Sequence, residues 1–182
     1  MRASPLCLIM AGGAGKRLRS LGRVEPKPLI KVCGEPMLVR VLRTVNGICS
    51  YVVIAISEHT AAIPLNVDLR SNIDVDYVFT SGRGYVEDLT FLLQGLRKPL
   101  LVIPGDVPLL TRGILRRFLA EAERFGKFPI VNLVGEKGLF GVSLFRSEGG
   151  AWVDLRLRGY ELLDVDTPED LKEVEGLCRA AE

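Results

Sequence analysis

The sequence predicts a three-layer α/β/α sandwich around a mostly parallel central sheet. Several short runs of the chain are continuously apolar, which is typical of strands that helices cover on both faces. These runs alternate with segments whose apolar residues recur at the helical period. With 182 residues, of which 48% are hydrophobic, the chain can bury a full core in one domain. We therefore expect a single domain over residues 1–182.

Six runs are predicted as strands because they are short and continuously apolar. In chain order they are LCLIM, YVVIAIS, VDYVF, LLVIP, FPIVNLV and LFGVSLF. Residues 140–159 are harder to assign, and we expect a small antiparallel excursion there.

Two helices are predicted between these strands. Residues 36–46 begin with a proline, which suits a first helical turn, and four of their apolar residues share one face: Leu38, Val41, Leu42 and Val45. Residues 112–125 repeat the pattern with Leu115, Phe118, Leu119 and Ala122. Gly126 is the expected stop of this second helix.

A last helix is predicted after "LLDVDTPEDL". Thr167 is a suitable N-cap and Pro168 a suitable first-turn residue. Glu169 and Asp170 then place negative charge at the positive end of the helix dipole.

Charge and cysteine content exclude several classes of function. The formal net charge is +2, from 24 basic and 22 acidic residues, so we expect no nucleic-acid partner and no adsorption to a membrane surface. The first apolar run is too short for a membrane span or a signal sequence. The four cysteines form no Cys-x-x-Cys pair, and we expect them to be reduced and structural. The predicted location is cytoplasmic.

The first strand runs into a glycine-rich, basic loop with the sequence AGGAGKRLRS. Ligands of α/β sheets bind at the carboxyl ends of the strands, where this loop lies. Glycines let backbone N–H groups approach an anion closely, and Lys16 and Arg17 add charge-assisted hydrogen bonds. A polyphosphate is therefore the expected ligand of this loop. The alternative is a tight turn whose basic residues are only solvated.

Two common phosphate motifs do not fit this loop. A Walker A loop would need glycine at Met10 and serine or threonine at Arg17. A dinucleotide fingerprint would need glycine or alanine at Leu18, and a second candidate around Gly82 lacks its third glycine at Glu87.

The segments "LIMAGGAGKRL" and "PKPLIKVCGEPML" together resemble the start of the MobA-like nucleotidyltransferase superfamily, whose members move a nucleotidyl group from an NTP to a phosphorylated acceptor. Later segments agree: "VIPGDVPLLT" resembles the superfamily's metal-binding strand end, and "LLDVDTPEDL" resembles its closing strand and helix. The resemblance covers nearly the whole chain and implies a Rossmann-like nucleotidyltransferase fold.

Within that superfamily, "TSGRGYVEDL" and the small size look most like the GTP:adenosylcobinamide-phosphate guanylyltransferases without a kinase domain. This resemblance implies GTP and a phosphorylated acceptor, preferably a corrinoid, as partners, with a homodimer left open. Pro26 departs from the subfamily's pattern, and it makes the stretch VEPKPLI more similar to sugar-1-phosphate nucleotidyltransferases. Sugar-phosphate and molybdopterin nucleotidyltransferases, and a nucleotide-binding regulator without turnover, are therefore the alternatives.

Transfer of this kind depends on positioning and on neutralising charge, and three residues are predicted to be catalytic: Arg17, Lys27 and Asp106. Lys27 lies between two prolines that restrict its backbone, so its ammonium can be aimed at a phosphate. Asp106 directly follows a strand and is assigned to Mg²⁺. The second metal ligand is Asp164 or Asp166, and the resemblance favours Asp166 over a plain helix-start role.

The predicted nucleotide-binding residues come from four segments of the chain. They are Met10, Ala11, Gly12, Gly13, Ala14, Gly15, Lys16, Arg17, Lys27, Ser81, Gly82, Glu87, Asp88 and Gly105. Glu87 or Asp88 is a candidate for reading guanine, because one carboxylate can accept both the N1–H and N2–H donors. The alternative is that both residues only stabilise a helix start.

Other conspicuous residues receive structural interpretations. His59 is the single histidine of the chain, so it has no partners for a zinc or Ser-His-Asp site. Trp152 and Phe140 are expected to pack in the interior rather than stack on an acceptor.

Overall fold

The computed structural model describes residues 4–19, 25–66, 74–135, 138–160 and 162–180. The strands of this part are β1 (Leu6–Met10), β2 (Lys31–Val32), β3 (Glu35–Pro36), β4 (Tyr51–Ile56), β5 (Val75–Phe79), β6 (Leu100–Pro104), β7 (Ile130–Gly135), β8 (Gly138–Phe145) and β9 (Trp152–Arg156). All six predicted strands are confirmed, as β1 and β4 to β8.

Seven of the strands form one sheet in the order β5-β4-β1-β6-β8-β7-β9. β1 lies in the interior of the sheet and pairs in parallel with β4 on one side and β6 on the other. β8 is antiparallel to both β6 and β7, whereas β9 is parallel to β7. The predicted fold class is confirmed, and the expected antiparallel excursion corresponds to β8.

The helices are α1 (Lys16–Arg19), α2 (Met37–Val45), α3 (Ile63–Asn66), α4 (Tyr85–Gly95), α5 (Arg112–Ala122) and α6 (Pro168–Ala180). Pro36 immediately precedes α2 rather than filling its first turn. α5 continues into a 3-10 turn over Glu123–Phe125 that ends at Gly126, as predicted. At α6, the Asp170 N–H donates to Thr167 Oγ1 over 3.2 Å, which confirms the predicted cap.

Helices pack on both faces of the sheet, which makes three layers. On one face α2 and α5 bury Leu38 and Phe118 against β1 and β4. On the other face α4 buries Leu92 and Leu93 against a second set of strand residues. The strands of the sheet centre are therefore apolar on both faces, which explains their continuously apolar sequences.

A third apolar cluster lies beside the carboxyl end of the sheet. It joins α6 and the segment before it to the β2–β3 hairpin, through residues such as Val165, Val174, Ile30 and Val32. This packing places the segment that carries Asp166 next to the segment that carries Lys27.

The expectation of reduced cysteines is wrong in this structure. Cys7 in β1 is disulfide-bonded to Cys49 before β4, with 5.8 Å between the Cα atoms. Cys33 in the hairpin is disulfide-bonded to Cys178 in α6, with 5.7 Å between the Cα atoms. Partners separated by 42 and 145 residues become neighbours only through the tertiary fold, so the spacing along the sequence could not reveal them.

The expected packing of Trp152 is also wrong, because its side chain is 64% exposed. Trp152 begins β9, the last strand of the sheet, where alternate side chains face solvent. The side chain of Phe140 lies outside the described part. No helix among the described residues is both long and apolar enough to cross a membrane.

Candidate active site

A cavity of about 870 Å³ opens at the carboxyl ends of the central strands. The ends of β1, β4 and β6 are in register there, since Met10 pairs with Ala55 and with Pro104. Two backbone hydrogen bonds extend this alignment into the loops: Ala11 N–H donates to Ala55 O, and Gly105 N–H donates to Met10 O, each over 2.9 Å. Side chains that follow β1 and β6 consequently face one shared space.

Most of the predicted site residues line this cavity. The predicted nucleotide-binding residues on its wall are Met10, Ala11, Gly12, Gly13, Ala14, Gly15, Lys16, Arg17, Lys27, Ser81, Gly82, Asp88 and Gly105. Asp106, Asp164 and Asp166 line it as well. Glu87 is not among the lining residues.

The glycines of the loop differ in whether the surrounding protein would tolerate a side chain. Gly15 has a φ of +60°, and a Cβ atom there would lie 3.0 Å from Lys27 Cβ. Gly13 is exposed, and a Cβ atom there would meet no atom within 4 Å. The open space above Gly13 is part of the cavity, so a ligand can approach its backbone.

A cluster of opposite charges lies in the cavity beside this loop. Lys27 Nζ donates to Asp106 Oδ2 and, over 2.5 Å, to Asp166 Oδ1. Arg17 Nη1 lies 3.2 Å from Asp166 Oδ2. Two carboxylates, one after β6 and one in the coil segment before α6, are thus held by two cations, one of which follows the glycines of the loop after β1.

Burial and ion pairing shift the pKa values of Asp106 and Lys27 in this cluster. Burial raises the pKa of Asp106, and the opposing effect of Lys27 does not cancel that increase. Burial lowers the pKa of Lys27, but Asp106 and Asp166 together outweigh it and leave the pKa of Lys27 above its ordinary value. Lys27 therefore keeps its positive charge at neutral pH.

Asp106 Oδ1 is buried and has no hydrogen-bond partner among the described residues. A buried carboxylate oxygen is costly to leave unpaired, so it is an available position for a ligand. No group of three or more His, Cys, Asp or Glu side chains in the described ranges is arranged to hold a metal ion.

The chain positions Asp166 through its backbone and through a neighbouring cap. Val165 N–H donates to Asp106 O over 3.0 Å, which ties the segment before α6 to the segment after β6. Asp170 Oδ2 accepts from the N–H groups of Asp166 and Thr167, at 3.1 and 2.7 Å. Because Asp170 and Thr167 perform the capping, the Asp166 carboxylate is directed at Lys27 and Arg17.

The loop before α4 is organised by Asp88. Its Oδ1 accepts from Ser81 Oγ over 2.7 Å, and its Oδ2 accepts from Gly82 N–H over 3.2 Å. Asp88 is buried, whereas Glu87 is exposed and accepts from Ser81 Oγ over 3.4 Å. The Asp88 carboxylate thus has a structural task in the loop, and a base-reading role for either residue stays a prediction.

Residues 7–146 match the family model described as the MobA-like NTP transferase domain. This chain belongs to that family. Two curated relatives are an adenosylcobinamide-phosphate guanylyltransferase of Methanocaldococcus jannaschii, 35% identical over 103 residues, and the bifunctional protein GlmU of Leifsonia xyli subsp. xyli, 32% identical over 124 residues. The matches cover 55% and 65% of this chain but only 50% and 25% of those relatives.

Several solved structures have a similar fold. One is a homologue of Mycobacterium tuberculosis Rv0371c from Mycobacterium sp. strain JC1, with a TM-score of 0.75, 17% identity and full coverage of both chains. Another is a candidate glucose-1-phosphate thymidylyltransferase from Bacillus anthracis, with a TM-score of 0.76, 16% identity and coverage of 96% and 95%. A manganese complex of Rv0371c has a TM-score of 0.68, 18% identity and coverage of 96% and 100%.

The cavity wall also contains residues that the sequence analysis did not assign to the site. His59 and Glu58 follow β4 and line the wall, although His59 had been interpreted as structural. Tyr85 Oη donates to Gly141 O over 3.3 Å, which links α4 to β8 at the cavity. A Cβ atom on Gly141 would lie 2.6 Å from Pro104 Cγ, so this close approach requires glycine. The position of His59, three residues after β4, was a usable signal. The contact between Tyr85 and Gly141 joins segments that are distant in the sequence, so no local pattern could reveal it.

Proposed function

We propose that this protein is a guanylyltransferase that transfers GMP from GTP to adenosylcobinamide phosphate, giving adenosylcobinamide-GDP and pyrophosphate. A phosphate oxygen of the acceptor attacks the α-phosphorus of GTP. The bond from that phosphorus to the bridging oxygen of the leaving pyrophosphate then breaks. The observation that carries the proposal is the cluster of Lys27, Asp106 and Asp166 beside a glycine loop, at the carboxyl ends of β1 and β6.

In this reaction the glycine loop binds the β- and γ-phosphates through its backbone N–H groups. Arg17 and Lys16 neutralise charge on the departing pyrophosphate. Lys27, whose pKa is raised, stays protonated and contacts the α-phosphate or the acceptor phosphate. Catalysis therefore consists of alignment and charge stabilisation rather than of covalent chemistry by the protein.

Asp106 and Asp166 could together ligate a divalent cation, although both also accept from Lys27 and form no larger metal-binding cluster with other described side chains. Asp106 Oδ1 is a buried oxygen without a hydrogen-bond partner in the described part, and carboxylate oxygens are the ligands that Mg²⁺ prefers. Asp106 and Asp166 would hold the ion, which would supply charge neutralisation to the phosphates. The manganese complex of Rv0371c, a protein of similar fold, supports a divalent ion here.

Two observations favour a corrinoid acceptor. The relative from Methanocaldococcus jannaschii, an adenosylcobinamide-phosphate guanylyltransferase, is 35% identical over the matched half of this chain. The segment from Thr80 to Leu89 is also the part of the sequence that most resembles that subfamily.

A sugar-1-phosphate is the second candidate acceptor. The Bacillus anthracis structure of similar fold is a candidate glucose-1-phosphate thymidylyltransferase, and Pro26 before Lys27 is closer to the sugar-1-phosphate pattern. A molybdopterin acceptor is the third choice, from the MobA-like family as a whole.

The test is to incubate the protein with Mg²⁺, each of the four common NTPs and a panel of phosphorylated acceptors, and to follow pyrophosphate release. We expect release only with GTP and adenosylcobinamide phosphate. Release with a sugar-1-phosphate would establish the second candidate instead. Tight NTP binding without release for any acceptor would favour a nucleotide-binding regulator.

A further inference from the structure

The hydroxyl of Ser57, which directly follows β4, is fully buried behind the glycine loop. Ser57 Oγ donates to Gly12 O over 2.6 Å and accepts from His59 N–H over 3.1 Å. The Ser57 N–H donates to Thr60 Oγ1 over 3.0 Å, so the residue is fixed at both its backbone and its side chain. Ser57 is not among the residues that line the cavity.

The bond to Gly12 O fixes the orientation of a whole peptide group. In a trans peptide the C=O of Gly12 and the N–H of Gly13 point in opposite directions within one plane. Because Ser57 holds the C=O on the buried side, the Gly13 N–H is directed away from Ser57. Gly13 is exposed and lies on the cavity wall, so this direction suits an anion bound in the cavity.

Without that bond, the peptide would rely on the packing around the buried Gly12, where an added Cβ atom would lie 3.2 Å from Thr80 Oγ1 and 3.5 Å from Ile56 C. Both residues that flank it are glycines, which adopt positive and negative φ about equally readily. A flipped peptide would present the Gly12 carbonyl oxygen, instead of the Gly13 N–H, to a bound phosphate. The flip would therefore replace an attraction with a repulsion.

Ser57 also contacts the second loop beside the cavity. Gly82 has a φ of +67°, and a Cβ atom there would lie 2.8 Å from Ser57 Cβ and 2.9 Å from Ser57 Oγ. A Cβ atom on Gly12 would lie 3.5 Å from Ser57 Cβ. One buried serine thus sets the distance between the loops that follow β1 and β5.

We propose that Ser57 is a positioning residue that locks the Gly12–Gly13 peptide in its anion-binding orientation, and so sets the affinity of the site for the triphosphate of a nucleotide. This inference rests on the proposed function only in taking a triphosphate as the ligand. It does not depend on the identity of the base or of the acceptor.

The experiment compares Ser57→Ala with Thr44→Val. Thr44 is an apt control because its buried Oγ1 donates to a backbone carbonyl, Leu110 O, over 2.8 Å, and Thr44 does not line the cavity. Affinity for GTP and for inorganic triphosphate is measured by calorimetry, and the thermal midpoint is measured for each variant. Ser57→Cys, which keeps a weaker donor, is a second variant with less effect on folding.

We expect both Ser57→Ala and Thr44→Val to lower the thermal midpoint, since each substitution leaves a buried carbonyl without its hydrogen-bond donor. Only Ser57→Ala should weaken binding of GTP and of inorganic triphosphate, by about tenfold each, with Ser57→Cys intermediate. In turnover, KM for GTP should rise while kcat at saturating GTP changes little.

The possible outcomes separate a failure of the positioning role of Ser57 from a failure of the proposed guanylyltransferase function. Unchanged triphosphate affinity in Ser57→Ala, or an equal loss in Thr44→Val, would refute the positioning role alone. Binding of another NTP in place of GTP would refute the guanylyltransferase, while a tenfold loss for that NTP in Ser57→Ala would still support Ser57. If the unaltered protein binds neither NTPs nor inorganic triphosphate, both proposals fail.

Discussion

Lys27 Nζ and Asp166 Oδ1 lie 2.5 Å apart, although 139 residues separate them in the chain. The same ammonium group also donates to Asp106, so one cation connects the segment after β6 with the segment before α6. Removing either carboxylate would leave Lys27 with one partner and would change the charge of the proposed phosphate site.

Asp106→Asn should keep the fold but lose most turnover. A neutral amide is a poorer ligand for a hard cation and a weaker stabiliser of developing charge, so we expect kcat to fall by on the order of 10²-fold or more. Steady-state kinetics at saturating Mg²⁺ measures the effect. Asp164→Asn is the matched control, because Asp164 lines the same cavity without a described bond to Lys27, and it should lose much less. Near-normal turnover of Asp106→Asn would remove Asp106 from the metal site.

Gly13→Val should abolish nucleotide binding without unfolding the protein. A Cβ atom at this exposed position would meet no atom of the protein within 4 Å, whereas the valine side chain would occupy the space through which a triphosphate reaches the backbone. Calorimetric titration with GTP measures the loss, and Gly113→Val in α5 is the control, since that glycine does not line the cavity. If the GTP affinity of Gly13→Val is unchanged, the loop is only a tight turn with solvated basic residues.

The unaltered protein should use GTP over ATP, by up to roughly 10⁴-fold, if a carboxylate reads the guanine base. Glu87→Gln should then narrow this preference while leaving the Mg²⁺ dependence intact. Asp88→Asn is expected to act differently, because an amide in place of Asp88 Oδ2 would set a donor against Gly82 N–H and loosen the loop for both nucleotides. Competition assays with GTP and ATP measure this preference in the unaltered protein and in both variants. Equal use of ATP and GTP would contradict the base-reading role and the cobinamide assignment.

In Lys27→Met, the free energy of unfolding should decline less steeply with rising alkaline pH than in the unaltered protein. The folded protein raises the pKa of Lys27 above its ordinary value of 10.5, so this ammonium stabilises the fold fully below that pH, and its contribution is lost as the pH rises through the higher folded value. Urea unfolding between about pH 8 and 12 should show a steeper decline for the unaltered protein than for Lys27→Met.

Tyrosines titrate in the same range, and burial raises the pKa of Tyr77 and Tyr85. They are present in both proteins, so the difference between the two curves isolates Lys27. Parallel curves would show that the Lys27 ammonium contributes no net stability through its pairs with Asp106 and Asp166.

The sequence predicted the central strands and the glycine loop because their signals are local. β1, β4 and β6 are apolar on both faces, and the loop after β1 concentrates glycine and basic residues in a few positions. The sequence singled out Asp106 because it closely follows a predicted strand, and the structure places it on the cavity wall, while its role at a metal stays a prediction.

The parts that escaped prediction depend on contacts between distant segments. The disulfide between Cys33 and Cys178 and the exposure of Trp152 follow from where α6 and β9 pack, which no local pattern encodes. Asp88 was interpreted from its place at a helix start, but its hydrogen bonds to Ser81 and Gly82 depend on how the preceding loop folds back.

The bond from Val165 N–H to Asp106 O has a consequence for the newly made chain. A ribosome adds about 5–20 residues per second, so several seconds pass between synthesis of Asp106 and synthesis of Asp166. During that interval the emerging sheet can hold Lys27 against Asp106 alone. We expect a nascent chain to become able to bind nucleotide only after the segment that leads into α6 has left the ribosome exit tunnel and docked.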